Sequence, residues 1–374
     1  MEYNATIFVN TALIVVSLAM AIVFLTIPIP VNKGLRKYRI SLRFLAGAYF
    51  VVALVKTAAM LFKITDVDLI SMERLTISSL QATFFNLALI ILIKPRFPIK
   101  RFLYFQIIPV FIFYILYILV ANQFGNPVLP NLNILNELAF QPPVLVREIF
   151  VLFYTVQIIY FCRLFILKVR QYKIEINDYF SDTYRLYLPW VWYCYLAALT
   201  VGIGALISCF IQSENAVLLF NLVCTVFYFV FGICYIQYPR TFKFIEPAIY
   251  TPHSNPTEVS KSNRHLVWNE LKERIIQEKY YLRADINIED MAHHLKIGRT
   301  TLSKFINSEE NMNFNGWVNS LRIEEAKQLL IIYPDYTLID ISEMVGYSES
   351  SNFSRQFKLI TNESPSVWRH NYKA

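Results

Sequence analysis

Seven stretches of this chain, near 7–27, 40–62, 77–93, 102–121, 145–167, 188–211 and 216–238, are long and apolar enough to cross a hydrocarbon core as helices, a task that takes about 20 residues each. A lone stretch of this kind fits the buried helix of a water-soluble domain. A succession of them through the first two-thirds of the sequence does not, and the expected fold class is all-α, with a seven-helix transmembrane bundle over residues 1–238. Composition agrees: 56% of the 374 residues are hydrophobic and 17% charged, with a mean hydropathy of +0.41, far from a soluble average. The first stretch carries Glu2 where a secretory signal has basic residues and ends at Pro28-Ile29-Pro30 where one has small ones, so it reads as a retained span. Cys162, Cys194, Cys209, Cys224 and Cys234 all lie in apolar segments and none forms a C-x-x-C pair. They read as small packing residues, not as a disulfide framework or a thiolate zinc site.

Orientation follows from the short connections, because Lys and Arg are retained on the cytoplasmic side. The loop after the first span holds Lys33, Arg36, Lys37 and Arg39; that after the third, Lys94, Arg96, Lys100 and Arg101; that after the fifth, Lys168, Arg170, Lys173 and Arg185. The alternate loops are poor in positive charge: Lys63 and Arg74 stand beside Asp66, Asp68 and Glu73, nothing basic occurs over 122–146, and 212–215 holds only Glu214. The expectation is a multi-pass protein of the inner (cytoplasmic) membrane, N-terminus outside and C-terminal domain in the cytoplasm.

Residues 239–263, with Pro239, Pro247, Pro252 and Pro256 among Ser, Thr and Asn, read as a semi-extended, non-helical linker. From Arg264 to the end, 264–374, the sequence changes to short amphipathic helices. Ile288, Met291, Ala292 and Leu295 form one apolar face; a turn follows at Lys296-Ile297-Gly298; Leu302, Phe305 and Ile306 form the facing stripe. A second copy uses Leu338, Ile341 and Val345, turns at Gly346 and resumes with Phe353 and Phe357. Asn287 is placed to cap the first helix, with Glu289 and Asp290 in its opening turn, and Ser348 to cap a helix starting at Glu349. Gly346 can take the positive φ of a sharp corner. Trp317, Leu321, Ile323, Ala326, Leu329 and Leu330 define a longer helix between the copies, and Phe353, Phe357 and Trp368 are expected in the core. The pI of about 9.1 is not itself a nucleic-acid signal. Residues 1–260 carry 20 Lys and Arg against 12 Asp and Glu, whereas 261–374 carry 15 against 15.

In order and spacing, Val345-Gly346-Tyr347, Phe353-Ser354-Arg355, Phe357-Lys358 and Ser364-Pro365, with Leu321-Arg322, Glu325-Ala326 and Leu329-Leu330 in the longer helix, resemble the DNA-binding domain of the arabinose-regulator (AraC-type) family of bacterial transcription regulators. The resemblance covers nearly all of the C-terminal third and none of the membrane region. It departs at Lys296, where the family has Gly in the first turn, at Gly298 in place of a Ser cap, and at Asn362 in place of the Gly before Ser-Pro. The first turn's geometry is the part this puts in question.

The resemblance implies two readers on one spacer, able to meet successive major grooves about 34 Å apart. By helical face, Thr300, Ser303 and Lys304, with Arg299 near the backbone, are the DNA-binding candidates of the first recognition helix. Those of the second are Ser351, Asn352 and Arg355, with Lys358 on phosphate. Arg suits guanine, Asn adenine, and hydroxyls either role. Ionisable groups inside spans are functional candidates by default. Arg43 and Arg163 sit near the cytoplasmic boundary as anchors, while Lys56 and Glu148 are the signal-binding candidates, and loop 122–146 is either a lid over them or an interfacial segment.

All His residues follow the last span, and no H-E-x-x-H, Gly-rich phosphate loop or nucleophile elbow occurs. No enzyme activity, metal or cofactor is expected. The expected function is a membrane-anchored one-component transcription regulator that senses a small-molecule or envelope signal and binds double-stranded promoter DNA. Its partners would be the lipid bilayer, RNA polymerase and, in a homodimer, a second copy. The alternatives are a receptor or transporter whose C-terminal domain works by protein contact, and a permease regulated by its own tail.

Overall fold

The computed structural model describes residues 2–30, 34–61, 68–94, 96–183, 186–211, 213–250 and 264–372. It divides into two compact units: Met1–Arg170 with Leu188–Lys243, and Gln171–Tyr187 with Phe244–Ala374. Among the described residues there is no strand, and Phe180 and Asn287 form one isolated antiparallel bridge.

The first unit is built from α1 (Glu2–Thr26), α2 (Arg36–Leu61), α3 (Met72–Ile93), α4 (Ile99–Phe124), the short α5 (Leu132–Leu138), α6 (Pro142–Asn177) as far as Arg170, α7 (Pro189–Ser208) and α8 (Glu214–Ile236). All seven apolar stretches are helical, and all are long and apolar enough to cross a membrane. Such helices satisfy their own backbone groups, the condition for entering lipid. The helices α1, α2 and α8 pack together, and α3 packs on α2, α4 and α7. Two-thirds (67%) of the apolar window of α3 is buried, against 11% of that of α4. Thus α3 is the axis of the bundle, and α4 turns Phe105, Ile108, Ile112 and Leu119 outward.

Lipid tails give apolar helices no hydrophobic reason to associate, so close packing and buried hydrogen bonds take that part. The Tyr38 hydroxyl donates to the Tyr235 carbonyl at 2.8 Å, that of Tyr49 to the Tyr228 carbonyl at 3.0 Å, and that of Tyr238 to the Leu92 carbonyl at 2.6 Å. Ser79 donates to Gln157, which donates in turn to Thr83 and Gln106. Connections gather alternately at the two ends. The amides of Leu69 and Ile70 reach the carbonyls of Leu129 and Cys209, each at 2.9 Å, joining the second, fourth and sixth connections, and Lys37, in the first turn of α2, donates to the Phe97 carbonyl at 2.8 Å, tying the start of α2 to the third connection.

The expected non-helical linker is corrected in its first half, where Tyr238–Tyr250 forms α9. Pro239 lies in the first turn, where its missing N–H has no helical partner in any case, and Tyr238 and Phe242 are buried side by side with ring centroids 5.7 Å apart. Residues 251–263 lie outside the described residues.

The second unit continues with α10 (Arg264–Gln277), a 3₁₀ turn (Tyr280–Leu282), α11 (Ile288–His294), α12 (Arg299–Glu309), α13 (Phe314–Ile332), α14 (Leu338–Met344), α15 (Ser350–Thr361) and α16 (Pro365–Asn371). Around α13 the apolar stripes meet in two clusters. Trp268 stacks on Phe305 and tilts against Trp317, at centroid distances of 5.8 and 5.3 Å, and Ile323, Ala326, Leu330, Ile341, Val345, Phe353 and Phe357 close the other. Trp368 is only half-buried at its edge.

Candidate nucleic-acid interface

The two helix-turn-helix units are α11–α12 and α14–α15, and their corners share one hydrogen-bond pattern. After α11, the Ile297 amide bonds the Ala292 carbonyl at 3.0 Å and the Lys296 amide that of His293 at 3.1 Å. After α14, the Tyr347 amide bonds the Ser342 carbonyl at 2.9 Å and the Gly346 amide that of Glu343 at 3.0 Å. Both are Schellman endings, which require a left-handed residue just past the helix. Gly346 supplies it at φ +84° and Lys296 at φ +56°. The departure at Lys296 therefore leaves the turn intact, and Asn362, at φ +65°, likewise takes the left-handed place after α15.

Caps set where the helices begin. Asn287 accepts from the amides of Glu289 and Asp290, as its position predicts, and Thr337 with Asp340 forms a reciprocal capping box on α14. Ser348 does not cap α15. The extended residue at the cap is Glu349, one position later, and the Ser348 hydroxyl instead donates to Asp182 at 3.2 Å.

Arg322 joins the halves of the domain. Fully buried, it donates from Nε to the Tyr281 carbonyl at 2.8 Å and from Nη2 to that of Arg283 at 2.7 Å, with the Tyr347 ring beneath it at 5.3 Å. Burial lowers its pKa, which the Tyr347, Asp182 and Asp285 oxygens oppose.

Of the residues assigned to DNA, Lys304, Ser351, Arg355 and Lys358 are exposed, and Arg299, Thr300 and Ser303 are half-buried. Asn352 is 3% exposed. The sequence gives no hint of what covers it. The segment 178–183 lies in this unit with Tyr179, Ser181 and Thr183 buried. Asn352 donates to Asp182 Oδ1 at 2.9 Å and accepts from Arg355 Nη2 at 2.9 Å. Arg299 lies 4.7 Å over the Tyr179 ring, and its Nη1 finds no hydrogen bond among the described residues. Burial pulls the Arg299 pKa down, opposed by Tyr179, Glu289 and Asp178, and burial raises that of Asp178, opposed by Arg299.

In the first unit, Lys56 lines a cavity of about 500 Å³ together with Asp68, Glu73, Arg74, Gln81 and Asn221. Glu148 is not among the residues lining it, and the two signal candidates form no ion pair with each other. The adjacent Arg147, passed over in the sequence, is buried. It bonds Asp68 at 2.9 and 3.1 Å and Asn126 at 2.6 Å, with the Tyr117 ring 5.1 Å from its guanidinium. Loop 122–146 contains α5, capped by Asn131 and packed into the bundle through Leu135.

A family model described as a helix-turn-helix domain matches residues 291–371. Regulatory protein PocR of Salmonella typhimurium is 29% identical over 89 residues, which are 24% of this chain and 29% of that protein. The Msm operon regulatory protein of Streptococcus mutans serotype c is 30% identical over 112 residues, 30% of this chain and 39% of that protein. An uncharacterized HTH-type transcriptional regulator of Staphylococcus aureus (strain COL) is 29% identical over 89 residues, 24% and 12% of the respective lengths. The chain thus spans between 12% and 39% of the length of these relatives. No solved structure matches it. With paired corners of one geometry on a single spacer helix, the C-terminal domain of this chain is a helix-turn-helix domain of the arabinose-regulator (AraC) type.

Proposed function

We propose that the chain is a membrane-anchored transcription regulator that reads promoter DNA with α12 and α15. The observation that carries this reading is the repeated corner, each copy followed by a helix with groove-reading chemistry: Arg299, Thr300, Ser303 and Lys304 on one, exposed Ser351, Arg355 and Lys358 on the other, with Asn352 beside them under Asp182. Residues 261–374 sum to no net charge, so attraction to phosphate comes from where these cations sit. The relatives named as regulatory proteins align over 24% and 30% of the chain, and membrane attachment rests on the seven apolar helices. In this reading the basic loops and the DNA reader face the cytoplasm and the N-terminus lies outside. The signal enters at Lys56, whose cavity mixes apolar walls with Glu73 and Arg74. A second copy and RNA polymerase complete the assembly at the promoter.

The test is selection from a random duplex library by the full chain in lipid nanodiscs. One enriched motif is expected, and Arg355→Ala relaxes preference at one base pair by about 1–3 kcal/mol. Absence of any enriched sequence overturns the reading.

A further inference from the structure

We propose that residues 178–183, which follow α6 directly, act as an internal competitor for DNA, holding Asn352, Ser348 and Arg299 so that the segment must leave before both recognition helices can enter a groove. The inference rests on the reading of the domain as a DNA reader. Its first support is the completeness of the docking. The Ser181 amide bonds the Ile286 carbonyl at 3.1 Å and the Ile288 amide the Tyr179 carbonyl at 2.8 Å, so the chain pairs with the strand-like residues just before α11. The Ser181 hydroxyl adds a bond to the Ile286 carbonyl at 2.6 Å, and the Ser181 carbonyl receives Asn315 at 2.6 Å and Asn319 at 3.2 Å. The Tyr179 hydroxyl donates to Glu289 at 2.7 Å. Buried polar groups satisfied from α11 and α13 together mark a seated ligand, not a loop crossing a surface.

The second support is which groups the segment engages. Asp182 places a carboxylate on Asn352 and Ser348 at the start of the second recognition helix, and Tyr179 with Asp178 faces Arg299 at the start of the first. Donors and a guanidinium that would meet acceptor oxygens of DNA here meet the oxygens and ring of the chain itself. A duplex brings one negative charge per about 1.7 Å, which two aspartates at the same place repel. Occupation by one excludes the other, and the exclusion is reciprocal. The helix α6 (Pro142–Asn177) ends where the segment begins.

The experiment uses the full chain in lipid nanodiscs and its library-selected duplex. Asp182→Ala is expected to tighten DNA binding about tenfold, or about 1.4 kcal/mol. Hydrogen exchange supplies the second readout: saturating duplex should speed exchange at the amides of Ser181 and Ile288, where a purely structural loop would stay protected. DNA bound with these amides still protected and with Asp182→Ala unchanged in affinity overturns the competitor while leaving the DNA reader standing. DNA binding by neither the parent chain nor Asp182→Ala overturns both. Binding by the variant alone supports the competitor in its strongest form.

Discussion

At the scale of single residues, Lys296 and Gly346 perform one backbone task with unequal ease. A side chain in the left-handed region costs about 1–2 kcal/mol, which Lys296 bears at φ +56° and Gly346 does not. Gly346 is constrained further, because a Cβ there would stand 2.3 Å from the Leu282 carbonyl oxygen and 2.9 Å from its carbon. Both are backbone atoms and cannot swing aside. Gly346→Ala is therefore expected to destabilise the C-terminal domain by about 3 kcal/mol, combining the conformational cost with overpacking. Lys296→Gly is expected to stabilise it by about 0.5–1 kcal/mol, since the relief is partly offset by glycine's freedom in the unfolded chain. Thermal unfolding followed by circular dichroism checks both, and equal effects of either sign at the two corners would contradict the argument. The sequence marked these positions correctly as corners. That Lys296 would adopt the geometry of a glycine was not legible, because only the surrounding bonds enforce it.

Elements show the same division between what local chemistry writes down and what distant packing decides. The seven spans were readable because an apolar run of about 20 residues is its own signal. The caps at Asn287 and Thr337 follow from side chains that reach two or three residues ahead. Asp340, bonded by the hydroxyl and amide of Thr337, has its carboxyl held below the usual 3.8. Because the folded value is the lower one, the capping box stabilises α14 fully above that pH and fades as acid is added below it. Thr337→Ala should cost about 1 kcal/mol near neutrality, and in a pH series of unfolding curves the Asp340→Asn chain should lose less stability on acidification than its parent. Segment 178–183 defied reading for the opposite reason. Asp178-Tyr179-Phe180-Ser181-Asp182-Thr183 has no period, and its partners Ile286, Asn319 and Asn352 lie more than 100 residues away. Arg147 and Glu148 were indistinguishable by depth, yet neighbours on a helix point in different directions, and only Arg147 turns inward.

For the whole molecule, charge and topology work together in the bundle. Arg147 is 1% exposed and its partner Asp68 28%, and with Asn126 and Tyr117 they tie the second and fourth connections to α4 and α6. Removing one member of such a pair strands the other charge. Arg147→Ala should destabilise the first unit by about 3 kcal/mol, the low end of the usual range since Asp68 is partly solvated. Pairing Arg147→Met with Asp68→Asn should recover most of that loss, as read by thermal unfolding in detergent. The close seat of the second corner on Leu282 has a practical corollary for anyone who would excise the reader. Cutting at residue 291, where the family likeness starts, discards the ledge formed by Leu282 and the carbonyls that receive Arg322. Such a fragment is expected to melt without cooperativity, whereas one begun at Arg264 keeps its foundation.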